Sequence, residues 1–356
     1  MSILDLARPE IRRLHAYQAA EQVEGTIRLN ANEAPRAVTA GDFRRPLNRY
    51  PEVRPLRLQR ALAERFGCSP DQLLVTRGSS EAIDLVIRAF CRAGEDAVLV
   101  TSPSFSMYRH YAEIQGARLI EVPTLAEDDF AIDVDAILAA CDDATRLIFL
   151  CSPNNPTGTT LPRSDLELLL RERGDRSAVV VDEAYVEFAG KASVTSLLGS
   201  YDNLLVLRTL SKALGFAGVR CGAVAGPAPV IRMLGAVQAP YALATPVVEC
   251  VEDALQAHHL ESARDAVAEI VAERERMSAA LARFGFVRKV WPSDANFILA
   301  RCDDAQGIMR HCAAHRVLLR HFGGDLEDCV RITIGTPEEN DTLLAALRML
   351  EEAGRG

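Results

Sequence analysis

The chain has 356 residues, 49% of them hydrophobic and 25% charged, a composition typical of a globular protein large enough for two domains. Its formal net charge is −9, which argues against a nucleic-acid-binding face and against an anionic-membrane partner, although one basic cleft could still take an anionic small molecule. No apolar run approaches the roughly 18 residues of a membrane span, and the first eight residues meet Asp5 too early for a secretory signal.

In chain order, an N-terminal arm runs to about residue 27. Short apolar runs of strand length follow at 73–76, 97–101, 118–122, 147–151, 178–181, 204–208 and 221–225. Between most of them lie helical patterns such as 80–92, 105–115 and 164–173. This alternation predicts an α/β fold, a mainly parallel seven-stranded sheet flanked by helices. From about residue 246 a long alanine- and charge-rich helical stretch reaches residue 284. Four further runs, 286–290, 296–300, 317–320 and 330–334, predict a smaller α+β unit. The expected division is therefore 28–245 for the large domain, with 1–27 and 246–356 forming the small one. The arm is expected to pack on that small unit.

The nine cysteines are odd in number and scattered, with no CxxC pair. Cys91, Cys151 and Cys221 sit in apolar segments and read as small buried hydrophobes. The seven histidines show no metal-ligand spacing, and His258–His259 read as solvent-facing, so no metal is expected. A reducing cytoplasm fits this cysteine usage.

Four stretches carry chemistry. Val75-Thr76-Arg77-Gly78-Ser79-Ser80-Glu81 passes from a strand through glycine and hydroxyls into a helix, leaving N–H groups free for an anion. Taken alone it is more often an ordinary helix cap. GxGxxG is absent, so a dinucleotide has no support. Asn154-Asn155-Pro156-Thr157-Gly158 follows a buried run; the turn by itself explains the proline and glycine, but not the doubled asparagine. Asp182-Glu183-Ala184-Tyr185 follows another, where an isolated acidic pair would more often bind metal or cap a helix. In Arg208–Arg220, Lys212 lies between the hydroxyls of Thr209 and Ser211 and a segment holding Gly215, Gly218 and Arg220. A lone lysine is usually solvated, but here it stands beside the donors a phosphate dianion requires.

An amine, a carboxylate, an amide and a phenol at successive strand ends suit pyridoxal phosphate. Lys212 would bond the cofactor as an imine and later move a proton. Asp182 would hold the pyridine nitrogen protonated, and Asn155 and Tyr185 would contact the ring oxygen. Phe105, after Pro103-Ser104, would stack on the ring, with core packing an equally good alternative.

On these motifs the chain resembles the fold-type I pyridoxal-phosphate-dependent aminotransferases over nearly its whole length. Within them it looks like the histidinol-phosphate aminotransferases, through Tyr17-Gln18, Leu29-Asn30-Ala31-Asn32-Glu33-Ala34-Pro35, Arg49-Tyr50-Pro51-Glu52, Asp294–Arg301 and Val330–Thr336. The resemblance implies Lys212, Asp182 and Tyr185 as catalytic residues. It implies a cofactor-phosphate cradle of Ser79, Ser80, Thr209, Ser211 and Arg220, joined by Tyr50 from a neighbouring subunit of a homodimer. Arg331, Arg320, Tyr17 and Asn32 would hold the substrate's anionic end. The implied reaction moves an amino group between histidinol phosphate and 2-oxoglutarate. Phe105 stands where many members have tyrosine, and Ser80 where aspartate is frequent. An aromatic-amino-acid aminotransferase, a threonine-phosphate decarboxylase and a catalytically silent binding protein share much of this pattern.

Overall fold

A computed structural model describes residues 2–17, 20–22, 28–38 and 42–354; Gln18 and the 23–27 end of the arm lie outside them. Strands β1 (Leu73–Thr76), β2 (Ala97–Ser102), β3 (Arg118–Pro123), β4 (Thr145–Cys151), β5 (Ala178–Asp182), β6 (Leu204–Thr209) and β7 (Gly222–Ala225) form a seven-stranded sheet in the order β1-β7-β6-β5-β4-β2-β3. The run from β6 to β3 is parallel, whereas β7 is antiparallel to both its neighbours, so β1 points the same way as β6. Every residue of β5 and β6 is buried. Successive side chains alternate between two cores: Ile148, Leu150, Val179, Val181 and Val206 face one, and Leu147, Phe149, Val180, Leu205 and Leu207 the other. Burial on both faces is why these strands read as unbroken apolar runs rather than alternating ones.

Helices α1 (Pro9–Arg12), α2 (Leu56–Phe66), α3 (Ser79–Phe90), α4 (Met107–Gln115), α5 (Val134–Ala140), α6 (Arg163–Arg173), α7 (Ala228–Val237) and α8 (Thr245–Ala254) belong with this sheet. A smaller unit holds α9 (Ala257–Leu281), α10 (Ala305–Ala314), α11 (Pro337–Gly354) and an antiparallel sheet of β8 (Val287–Val290), β9 (Phe297–Cys302), β10 (Arg320–His321) and β11 (Cys329–Thr333), ordered β10-β11-β9-β8.

Four expectations need correction. The described start of the N-terminal arm packs on the large domain, not the small one: Ile3, Ala7 and Ile11, spaced by fours, bury with Leu85 and Phe90 of α3 and Leu234 of α7. Arg8 N–H also donates to Ala89 C=O at 3.0 Å. The single helical stretch from 246 is two helices, broken where Gln256 adopts an extended backbone (φ −68°, ψ 149°). Val248 and Val251 of α8 enter the large core, so packing moves the expected boundary from 245 to the Leu255–Gln256 break. The strand expected at 317–320 reduces to Arg320–His321, because Val317 N–H caps α10 through Cys312 C=O at 2.9 Å. Cys91, Cys151 and Cys221 are buried free thiols, and His258 and His259 are exposed, as expected.

Candidate active site

The carboxyl ends of β1, β2, β4, β5 and β6 share one edge of the sheet, where open α/β folds leave a crevice. Cys151 is paired with Asp182, and Asp182 with Leu207, so the segments after these strands emerge side by side. Those segments carry Asn155, Tyr185 and Lys212.

Asp182 is fully buried. Its carboxylate accepts Tyr108 O–H at 2.8 Å and Ala184 N–H at 3.1 Å. Burial raises the carboxyl to about 6, opposed by these two donors and by Lys212. Lys212 is accessible from the crevice. Desolvation by the surrounding protein lowers its amine below the usual lysine range, Arg331 and Arg220 push the same way, and Asp182 opposes them. Its Nζ lies 5.7 Å from the centre of the Tyr185 ring. Asn155 Nδ2 donates to Tyr185 Oη at 3.1 Å, and burial holds that phenol well above its ordinary range.

From the small domain, Arg331 reaches across the crevice and donates through Nη1 to Asn155 Oδ1. It lies opposite Arg320 in the β10–β11 pairing, and both guanidiniums sit 5.6 Å from the Phe322 ring centre. Phe297, 5.1 Å from Arg331, also meets Tyr185 edge-on. Arg331 Nε is buried without a hydrogen-bond partner. Burial, then repulsion from Arg320, lowers the Arg331 pKa.

A second cationic corner lies at the start of α3. Gly78 has φ +78°, and a Cβ there would stand 2.6 Å from Arg220 Nη2; a Cβ on Gly222 would stand 2.8 Å from Ser79 N. Gly78 thus lets the guanidinium, and Gly222 the backbone of β7, come close to the start of α3, where the N–H groups of Ser79 and Ser80 are free. Arg220 Nη1 donates to Ser211 Oγ at 3.3 Å, and Thr209 Oγ1 donates to Ser211 Oγ at 3.0 Å. Arg220 itself has φ +58°, an uncommon backbone for a non-glycine residue. Among the described residues, none of Lys212, Arg220, Arg320 and Arg331 forms an ion pair with a carboxylate. A buried orphan donor, unpaired cations and a hydroxyl-lined helix start fit a phosphate-bearing cofactor and an anionic substrate.

Phe105 joins this group through Tyr108, which it meets edge-on at 5.7 Å. Tyr17, Tyr50 and Asn32 do not join it within one protomer. Tyr50 stacks on Tyr241 at 4.7 Å, Tyr17 meets that ring edge-on at 6.1 Å, and Asn32 is exposed with φ +54°. Sequence reasoning missed Tyr108, Phe322 and Tyr241, none of which lies in a recognisable motif. It also missed Glu33 and Phe297, although both sit inside segments that drew attention. The Glu33 carboxylate is 2% accessible; it pairs with Arg28 and Arg49 and accepts Tyr50 N–H at 2.9 Å. Phe297 lies in Asp294–Arg301. There Asp294 accepts Thr160 O–H at 2.5 Å and Lys191 Nζ at 2.8 Å, tying the small domain to the Asn155 turn.

A sequence profile of the aminotransferases of class I and II matches residues 24–347. A histidinol-phosphate aminotransferase of Xylella fastidiosa (strain 9a5c) is 45% identical over 357 residues, spanning 98% of this chain and 97% of that protein. Among solved structures, the histidinol-phosphate aminotransferase of Sinorhizobium meliloti in complex with pyridoxal-5'-phosphate has a TM-score of 0.78 at 24% identity, covering 86% of this chain and 84% of that one. The aromatic aminotransferase of Pyrococcus horikoshii OT3 has 0.75 at 26%, covering 86% and 88%. Sharing this profile over most of its length, the chain belongs to the aminotransferase class I and II family.

Proposed function

We propose that the protein is a pyridoxal-phosphate-dependent histidinol-phosphate aminotransferase. It transfers an amino group between L-histidinol phosphate and 2-oxoglutarate, giving imidazole-acetol phosphate and L-glutamate. The reverse direction serves histidine biosynthesis. The observation that carries this reading is the cross-strand pair Arg320–Arg331, unpaired among the described residues, beside Asn155 and Lys212. The name of the 45%-identical Xylella protein supports the substrate.

Pyridoxal phosphate, when bound, supplies a ring that accepts the electrons freed at the substrate's α-carbon. Lys212 Nζ would hold the cofactor and would be placed to move the proton at the substrate's α-carbon; its lowered pKa keeps more of it in the free-amine form that accepts a proton. Asp182 holds the ring nitrogen's proton, and Asn155 and Tyr185 hold the ring oxygen. Ser79, Ser80, Thr209, Ser211 and Arg220 bind the cofactor phosphate, and Phe105 packs on the ring. Arg331 and Arg320 bind the carboxylate of glutamate or the phosphate of histidinol phosphate in turn.

Tyr50 of one subunit completes the partner's phosphate site, with Tyr17 and Asn32 at the substrate's anionic end. A homodimer is supported by the exposed apolar side chains Leu14, Tyr17, Leu29, Val38, Phe43, Leu47, Tyr50 and Leu56, all within 43 residues of chain. A cytoplasmic location accords with nine free cysteines, and among the described residues no helix is long and apolar enough to cross a membrane.

The substrate is tested by comparing kcat/KM for histidinol phosphate with that for phenylalanine. A preference for phenylalanine of about tenfold, ~1.4 kcal/mol in transition-state binding, would favour an aromatic aminotransferase instead.

A further inference from the structure

Tyr108 lies in the first turn of α4 and is fully buried. Its ring stacks on Phe149 of β4 at 5.0 Å and meets Phe105 edge-on at 5.7 Å, which leaves the phenol one direction in which to point. That direction ends on Asp182 Oδ2, 2.8 Å away. The groups facing this carboxylate are Tyr108 from α4, Cys151 at the end of β4, Lys212 after β6, and Glu183 and Tyr185 from its own segment. Among them, Tyr108 is the side chain that hydrogen-bonds the carboxylate and most strongly opposes the effect of burial on it.

We propose that Tyr108 is a positioning residue for the cofactor's ring nitrogen: its O–H holds the buried Asp182 carboxylate as an anion in one orientation, while its ring backs Phe105. The proposal rests on the pyridoxal phosphate reading above. Both pyridine contacts, one at the ring's face and one at its nitrogen, then depend on one side chain that touches neither substrate nor cofactor. A buried carboxylate deprived of a donor rises in pKa, and a neutral Asp182 cannot pair with a pyridinium.

Tyr108→Phe deletes one oxygen and keeps the ring packing. The experiment equilibrates the holoenzyme at pH 6.5 to 9, separates free cofactor by ultrafiltration and reads the dissociation constant from the cofactor retained. The constant for Tyr108→Phe should exceed wild type by about tenfold or more at the low end of that range and by less than about threefold at pH 9, because losing the donor raises the Asp182 carboxyl and leaves less of it ionised at the lower pH. A role confined to packing would raise it by the same factor at every pH, and that result overturns the proposal. In an Asp182→Asn background, Tyr108→Phe should change the constant by less than about twofold. An undiminished effect there also overturns it, and this arm stands even if Tyr108→Phe alone does not fold. Failure to retain cofactor in the wild type at any pH would refute the cofactor reading itself; retention with a pH-independent ratio would refute only the role of Tyr108.

Discussion

Replacing Asp182 by asparagine separates what this side chain costs the fold from what it contributes to the site. A carboxyl that titrates near 6 when folded and near 3.8 when unfolded corresponds to about 3 kcal/mol. Because the folded value is the higher one, this stability is fully present below pH 3.8 and is lost as pH rises through 6. The asparagine variant has no such titration. Its unfolding free energy minus that of the wild type, both without cofactor, should therefore rise by about 2 kcal/mol between pH 4 and 7.5. The replacement amide can still accept the Tyr108 bond, so other differences are independent of pH. Urea unfolding at a series of pH values, followed by fluorescence of the buried and only tryptophan, Trp291, measures this directly. A difference that is flat or falls with pH would refute the claim that burial dominates at Asp182. With cofactor bound the order should reverse, since the carboxylate then has a cation to pair with.

Truncating Arg331 to alanine removes a largely desolvated cation that bridges the domains. It should lower kcat/KM for glutamate and for histidinol phosphate by at least about thirtyfold, or ~2 kcal/mol. Steady-state kinetics on each half-reaction checks this, and loss of only one would mean separate anchors. Gly158→Ala should destabilise the protein by about 1–3 kcal/mol, because its φ is +82° and the new Cβ would lie 2.3 Å from Ser293 Oγ. Thermal unfolding at unchanged Tm would show that the turn can yield. Mixing inactive Tyr50→Ala and Lys212→Ala subunits should restore partial activity, because a mixed dimer holds one doubly damaged site and one intact site. No recovery would place Tyr50 in its own subunit's site.

Much of the large domain was legible because every strand but the edge strand β3 buries both faces and is written as an apolar run. The amphipathic spacing of Ile3, Ala7 and Ile11 shows that the arm has an apolar face, yet nothing local names the surface that receives it. For the same reason α8 and α9 read as one helix: both are amphipathic, and it is the extended backbone at Gln256 and packing on different cores that separate them. Tyr108 carries no local signal, because its role comes from β4 and β5 bringing Phe149 and Asp182 against α4, the Asp182 contact lying 74 residues away in sequence.

Local residue order is enough to name the chemical groups that end the strands: an amine, a carboxylate, an amide, a phenol and hydroxyls, each placed by a local turn or helix start. Which of their charges are neutralised is set by the packing of distant elements. Pairing depends on what arrives from distant elements, and here β11 delivers Arg331 and α4 delivers Tyr108, while among the described residues no carboxylate pairs with Arg331 or Arg320. That imbalance of charge, invisible in composition, is what suits the crevice to the proposed anionic ligands.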